Sequence, residues 1–240
     1  MPQSSLSASP PAQRQPLTDT AALARNRRRA LARPPPSRFL HDAAIGEHQE
    51  MGLHWANDPV GQLVQCRRAL RPDGLFLGIC FGGQTLQELR SALAEAETAI
   101  RGGVAPRGAP MGEIRDLGAL LQRAGFALPV ADAVPIRASY AGLSDLMADL
   151  RAMGETNALA SRDRRALTRT VLSRAARIYA ESFGDADGRL PASFELIVLT
   201  GWAPDDSQPK PLRPGTATTR LADALQTVET PLPGTDRFDD

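Results

Sequence analysis

The chain has 240 residues, 42% of them hydrophobic, which is enough for one domain with a hydrophobic core plus tails. Its 28 basic and 27 acidic residues leave a formal net charge of +1, which gives no electrostatic reason to expect a nucleic-acid or acidic membrane partner. No apolar run is long enough to cross a membrane, and the two cysteines lack metal-ligand spacing, so we expect a cytoplasmic protein without membrane span, disulfide framework or metal site.

The amino-terminal part divides into a tail and a helical region. Residues 1–17 are rich in Ser, Pro and Gln and predict a disordered tail, although the arginine-rich, acid-poor first thirty residues also resemble a transit peptide. Residues 18–50 predict helices, the first of them capped by Thr18 or Asp19 and ended by prolines from Pro34. Its arginine-rich last turns are typical of a solvated helix face, and contact with phosphate or an acidic partner is the alternative.

The periodic spacing of apolar residues is clearer over residues 51–203 than in the rest of the chain, and it predicts one partial domain there. Asp58, followed by Pro59, predicts the start of a helix. The turn "RPDG", in which glycine permits a left-handed residue, leads into a strand over 75–81. That strand is apolar on both faces, which predicts a central, covered position. A long helix is expected over 85–100.

The second half of this region alternates helices with strands. A strand over 126–139 contains Pro129 and Pro135 and therefore suits a sheet edge. Amphipathic spacing predicts three helices, over 114–124, 144–150 and 162–183, and the run "SFELIVLTGW" predicts the last strand, over 193–202. Residues 204–240 predict a flexible tail with one short helical stretch over 219–225.

Several motifs resemble a known family. The strings "ALRPDGLFLG", "FGGQTLQELRSALAEAE", "LGALLQRAGF", "DLMADLRAMGETNAL" and "LTGWAPDDSQPKPLRPGTA" follow one another in the order found in class I S-adenosylmethionine-dependent methyltransferases. They are most similar to the subfamily of a complex I assembly factor described as an arginine hydroxylase, and its bacterial relatives. The resemblance spans roughly residues 53–225. It implies an α/β, Rossmann-like fold.

The cofactor-binding part of the family fold has no counterpart in this sequence. The glycine-rich loop and the acidic residue by which class I methyltransferases hold the cofactor have no counterpart here. Only "HQEM" stands where strands one to four of the family should lie, so we expect a truncated fold that keeps about three carboxy-terminal strands. The edge of the strand over 75–81 is then exposed or covered by the amino-terminal helices, and a homodimer through that edge is a hypothesis.

The string "LHWAND" matches a family loop near the transferred group. By resemblance, His54 is a candidate base, and Trp55 and Asp58 are candidate cofactor-binding residues, Trp55 as a stacking wall. The alternative is structural, with Asp58 capping its helix and Trp55 packing on the sheet. Glu155 and Asn157 of "MGETN" match a motif able to receive a guanidinium group, and a hydrogen-bond network at a helix end is the alternative.

Three functions follow from the resemblance as expectations. The first is a methyltransferase-family enzyme, using S-adenosylmethionine, that modifies an arginine of a protein partner such as a complex I subunit. Its cofactor binding is expected to be impaired because the glycine-rich loop is absent. The second is a non-catalytic module that holds such a partner during assembly, and the third is a decayed remnant.

Overall fold

A computed structural model describes residues 16–31, 52–209 and 219–228 of the chain. The chain divides into two compact units, Met1–Asp205 and Asp206–Asp240. The described helices are α1 Thr20–Leu31, α2 Pro59–Ala69, α3 Gln87–Arg101, α4 Ile114–Arg123, α5 Leu143–Ala152, α6 Arg169–Phe183 and α7 Leu221–Ala224. The strands are β1 Leu75–Phe81, β2 Ala127–Tyr140 and β3 Leu190–Trp202, and a 3-10 turn covers Leu53–Trp55. The second unit contributes only α7 to these described elements.

The three strands form one sheet in the order β1-β3-β2, and both pairs are antiparallel. The expected α/β class with about three strands is confirmed. The expectation that the strand over 75–81 is central was wrong, because β3 occupies the centre and β1 lies at an edge. Helices on both faces bury the carboxy-terminal half of β1, which explains why its sequence is apolar throughout, while Leu75 at its start is 47% exposed.

Helices cover both faces of the sheet. On one face Ile79 and Phe81 of β1 and Phe194 of β3 pack with residues of α3, α5 and α6. On the other face Cys80 packs with residues of α2 and α4, among them Leu63 and Leu121. Burial raises the pKa of the Cys80 thiol to about 12, so the thiol stays protonated. Successive side chains of a strand point to opposite faces of the sheet, so helices on both sides are needed to bury the apolar side chains of β1.

Local sequence signals account for most element ends. Asp58 accepts a hydrogen bond from the Gly61 amide at 2.9 Å and caps α2 as expected. In the "RPDG" turn the left-handed residue is Asp73, with φ of 56°, rather than Gly74 as expected. Aspartate tolerates this region better than most residues do, so the turn forms without glycine at that position.

Two helices begin later than expected. The helix predicted from residue 85 begins at Gln87, because the Thr85 hydroxyl bonds to the backbone of Glu195 and Leu86 is left-handed. The helix predicted from residue 162 begins at Arg169, where Thr168 caps it by accepting from the Val171 amide. In both places side-chain hydrogen bonds to backbone compete with the first helical turn.

The described part of the amino terminus packs against two loops of the first unit. Leu17 accepts a hydrogen bond from the Ala160 amide at 2.9 Å, and Asp19 donates its amide to Ala158 at 2.8 Å. The Asp19 carboxylate also accepts from the Ala22 amide, which caps α1 as expected. The helical stretch expected after Pro34 within residues 18–50 lies outside the described residues. No helix within the described ranges is long and apolar enough to cross a membrane.

Candidate functional site

The candidate site is centred on the 3-10 turn Leu53–Trp55, beside the carboxy-terminal end of β1. His54 and Trp55 are both buried there. The His54 ring meets the edge of Phe81 with centroids 5.1 Å apart, and it lies 5.6 Å from the Trp55 ring. The turn therefore fixes two aromatic side chains against the end of the strand.

Glu155, one hundred positions later in the chain, completes this cluster. The Trp55 indole Nε1 donates to Glu155 Oε2 at 2.9 Å, and His54 Nε2 lies 3.2 Å from the same oxygen. Because an ionised carboxylate only accepts hydrogen bonds, His54 Nε2 is assigned the proton. His54 Nδ1 is then a buried acceptor with no partner among the described residues. The arrangement is that of an imidazole oriented by a carboxylate.

A cavity of about 110 Å³ adjoins the cluster. Its aromatic lining consists of Trp55, Phe81 and Phe194, and Glu155 supplies a carboxylate. Two cationic side chains, Arg90 and Arg107, also line it. The cavity can therefore receive a small group with an apolar stem and a charged end.

One wall of the cavity is a loop pinned by a buried glutamate. Glu97 of α3 is fully buried and accepts from Arg107, from Arg101 at 3.1 Å and from the Ala105 amide at 3.2 Å. Burial acts to raise the pKa of this carboxyl, but the hydrogen bonds and charge of Arg107, with the other two donors, hold it below its usual value. The loop over 102–111 is thereby tied to α3.

Two of the residues predicted for the site have structural contacts instead. Asn157 donates to the Pro106 carbonyl at 2.7 Å and accepts from the Leu159 amide at 3.1 Å. The nitrogen and the oxygen of its side-chain amide are therefore each bonded to a backbone group. Asp58 is exposed and caps α2. The structure thus brings His54, Trp55 and Glu155 together, whereas Asn157 fixes the loop that forms the cavity wall. Roles for Asn157 in catalysis and for Asp58 in cofactor binding stay predictions.

Thr18 connects the amino-terminal segment to the site and was not singled out as a site residue by the sequence. It is 2% exposed; its hydroxyl donates to the Trp55 carbonyl at 2.8 Å, and its amide donates to Asn57 Oδ1 at 2.8 Å. A further link joins Asn26 of α1 to the Thr156 carbonyl at 3.0 Å. The same segment therefore holds the Trp55 loop and the Glu155 loop. In the sequence, only the helix cap predicted at Thr18 or Asp19 indicated that this amino-terminal segment is structured.

Replacing Thr18 by valine is expected to lower the free energy of unfolding by about 1–3 kcal/mol, because the isosteric change leaves the Trp55 carbonyl without its donor. Urea unfolding followed by circular dichroism measures the change. Thr20→Val is the matched control, since Thr20 is exposed on α1 and the two residue types have similar helix propensities. Equal stability of the two variants would show that the Thr18 hydroxyl does not hold the loop.

Comparison with known proteins places the chain in a family. A zebrafish (Danio rerio) protein named arginine-hydroxylase NDUFAF5, mitochondrial, is 42% identical over 173 residues, which are 72% of this chain and 54% of that protein. The chain belongs to the class I methyltransferase-like family. The human protein of the same name is 41% identical over 70% of this chain and 48% of its own.

More distant members of the methyltransferase-like family also match. A malonyl-[acyl-carrier protein] O-methyltransferase of Laribacter hongkongensis is 36% identical over 64% of this chain and 49% of its own. The chain spans about half the length of these curated relatives. Among solved structures, one assigned to the methyltransferases from Bacillus halodurans covers 65% of this chain and 68% of its own, with 12% identity and a TM-score of 0.39. No family model matches the chain.

The methyltransferase-like family implies S-adenosylmethionine, a cofactor whose amino-acid group needs free backbone amides. The glycine-bearing turn after β1 is one described place where backbone amides could receive that group. Three amides of this turn are already used: Gly82 donates to the Glu195 carbonyl at 2.8 Å, Gln84 to the Glu195 carboxylate at 3.0 Å, and Thr85 to the Gly82 carbonyl at 3.0 Å. These three amides are therefore not free to receive an anionic group.

Proposed function

We propose that this methyltransferase-like chain binds an arginine side chain of a protein partner in the cavity beside Glu155. A respiratory complex I subunit is the expected partner by family resemblance. The arginine itself is suggested by the name of the relatives, arginine-hydroxylase. The chain by itself acts as a binding or assembly module, a role supported by the three amides of its glycine-bearing turn that already donate within the chain.

The orientation of Glu155 carries this proposal. Its side chain is 14% exposed, and the Trp55 indole and His54 hold one of its oxygens. The Glu155 carboxylate also lines the cavity, where its negative charge attracts a planar guanidinium and strengthens hydrogen bonds to it. The methylene stem of arginine packs on aromatic walls such as Phe81 and Phe194, which line the same cavity.

Binding of a short arginine-containing peptide tests the proposal by isothermal titration calorimetry. Glu155→Gln is expected to weaken binding at least tenfold, because a charge-assisted hydrogen bond contributes about 1.5–3 kcal/mol. A peptide with citrulline in place of arginine is expected to bind as weakly as the variant does, since citrulline lacks the charge. Glu95→Gln is the control, because Glu95 is exposed on the same helix as the buried Glu97.

Two results would contradict this function. Equal affinity for the arginine and citrulline peptides would remove the role of Glu155 as a cation receptor. Binding of S-adenosylmethionine or its homocysteine product to this chain with micromolar or tighter affinity would contradict the non-catalytic role. The expected calorimetric result with either compound is no measurable heat.

A carboxylate-bearing substrate is the second candidate. Arg90 and Arg107 line the same cavity, and some relatives are named malonyl-[acyl-carrier protein] O-methyltransferases. Arg107 is already paired with Glu97, and Arg90 donates to the Gly83 carbonyl. Glu155 also places a negative charge on the wall, which disfavours an anionic ligand. Tighter binding of malonate than of the arginine peptide would favour this second candidate.

A further inference from the structure

The backbone is held by hydrogen bonds on both sides of Glu155. At the end of α5, the Glu155 amide donates to the Leu150 carbonyl at 2.9 Å, as in a Schellman motif. The next carbonyl in the chain, that of Thr156, accepts from the side-chain amide of Asn26 at 3.0 Å. The first bond belongs to the helix that Glu155 follows, whereas the second comes from α1.

α1 also lies directly against the glycine that precedes Glu155. Gly154 has a left-handed φ of 82°, which ends α5 and turns the chain toward the site. A Cβ at this position would lie 3.4 Å from the Asn26 carbonyl oxygen and 3.2 Å from the Ala30 Cβ. The backbone of α1 therefore limits how far the Glu155 loop can move toward it.

Asn26 is an unusual residue for its place in α1. The helix reads "TAALARNRRRAL", and apart from Asn26 every residue after Thr20 is alanine, leucine or arginine. Asparagine is a weak helix former, because its side chain competes for backbone hydrogen bonds. Here the side chain is half-buried and bonds to a loop 130 positions later in the chain. The contact with Thr156 thus gives this residue a use that helix formation does not.

The carboxylate of Glu155 is held from the Leu53–Trp55 turn. Trp55 Nε1 donates to Glu155 Oε2 at 2.9 Å. The Trp55 carbonyl in turn accepts from the hydroxyl of Thr18, just before α1 begins. The amino-terminal segment therefore bears on Glu155 by two routes, one through its backbone and one through its carboxylate.

We propose that Asn26 is a positioning residue for Glu155, so that α1 determines how well this carboxylate receives an arginine side chain. The inference rests on the proposed function of the cavity. Asn26 is not among the described residues that line the cavity, so it acts only by fixing the Thr156 carbonyl. Without that bond the peptide unit after Glu155 is free to rotate, and the carboxylate loses its alignment with the Trp55 indole.

Asn26→Ala tests this role with the arginine-containing peptide in isothermal titration calorimetry. Alanine is smaller than asparagine and a better helix former, so α1 is expected to stay folded. Loss of one neutral hydrogen bond is expected to weaken peptide binding about threefold to tenfold. Thr20→Ala is the matched control, because Thr20 is an uncharged polar residue exposed on the same helix, and it should leave the affinity unchanged.

A charged variant separates the position of Glu155 from electrostatic attraction. Asn26→Asp has nearly the same size, but it replaces the donor by an acceptor that repels the Thr156 carbonyl. Its negative charge by itself would attract a cationic peptide. We expect at least threefold weaker binding, the opposite of that attraction. Equal or tighter binding would show that charge rather than placement governs the affinity, and would overturn the proposal.

A double-mutant cycle with Glu155→Gln distinguishes positioning from a general structural role. If Asn26 acts through Glu155, Asn26→Ala should weaken binding in the parent chain and cause little further loss in the Glu155→Gln variant. An equal loss in both backgrounds would mean that the substitution disturbs the cavity as a whole, which would overturn the positioning role.

The fluorescence of Trp55 reports the placement of Glu155 without any peptide. The chain has two tryptophans, so Trp202→Phe leaves Trp55 as the only one. In that background Asn26→Ala is expected to move the emission toward that of Glu155→Ala, because both changes loosen the hydrogen bond of the indole. An emission identical to that of the parent would overturn the inference. An affinity that Glu155→Gln leaves unchanged would instead contradict the proposed function, and the emission would still decide whether Asn26 places Glu155.

Discussion

Replacing Phe194 by alanine is expected to lower the free energy of unfolding by about 3–5 kcal/mol, the range for truncating a buried aromatic side chain. Phe194 is 1% exposed on the central strand β3, and its ring lies 6.3 Å from that of Phe81. Its removal joins a new void to the cavity of about 110 Å³ that it already lines. The side chains around the void cannot collapse fully, because the two neighbouring strands hold the backbone on either side.

Urea unfolding measured by circular dichroism checks this expectation through the transition midpoint at an unchanged slope. Val134→Ala is the control on a strand of the same sheet, where the side chain is 42% exposed and a change below about 1 kcal/mol is expected. A loss below about 1 kcal/mol for Phe194→Ala would mean that this side chain is not packed in the core. A changed slope would point to altered compactness rather than altered packing.

Replacing Glu97 by glutamine is expected to lower the free energy of unfolding by about 3 kcal/mol at neutral pH, because it removes the charge that compensates Arg107 and Arg101. Glutamine keeps an acceptor for the Ala105 amide, so the variant isolates the charge. The loop over 102–111 should then loosen, and the cavity wall with it. Glu95→Gln, on the exposed face of the same helix, is the control and should be nearly neutral.

The same variant is expected to change the acid dependence of stability. The pKa of Glu97 is lowered in the folded chain, so its contribution is fully present above the unfolded pKa of about 4.3 and is lost as the pH falls through the folded value. Glu97→Gln should therefore lose less stability between about pH 5 and pH 3 than the parent chain does. A parallel loss in both proteins would show that Glu97 does not carry this dependence.

Two further carboxyl groups contribute to the acid dependence that should remain. The pKa of Asp19 is lowered, first by the Ala22 amide and then by Arg162. The pKa of Asp163 is lowered, first by the Arg165 amide and then by Arg101. Both stabilise the fold above the unfolded pKa of about 3.9 and lose that effect as the pH falls further.

The candidate site was predictable in part. The "LHWAND" and "MGETN" strings identified His54, Trp55 and Glu155 separately, because each stands in a motif shared with the family. Their hydrogen bonds to one another could not be read from the sequence, since one hundred positions separate Trp55 from Glu155. Asn157 shows the reverse case: its motif was recognised, but its amide holds the Pro106 and Leu159 backbone instead of facing the cavity.

What the sequence determined by itself is local. Asp58 before Pro59 specified the start of α2, and the two prolines of β2 specified an edge strand, because a cap or a missing amide acts within a few residues. The motifs also determined the family. Only the tertiary structure decided that β3 is the central strand, that Thr18 holds the Trp55 loop, and that Glu97 is buried among arginines. These features depend on contacts between distant segments, and apolar spacing along a strand reports burial without reporting which element covers it.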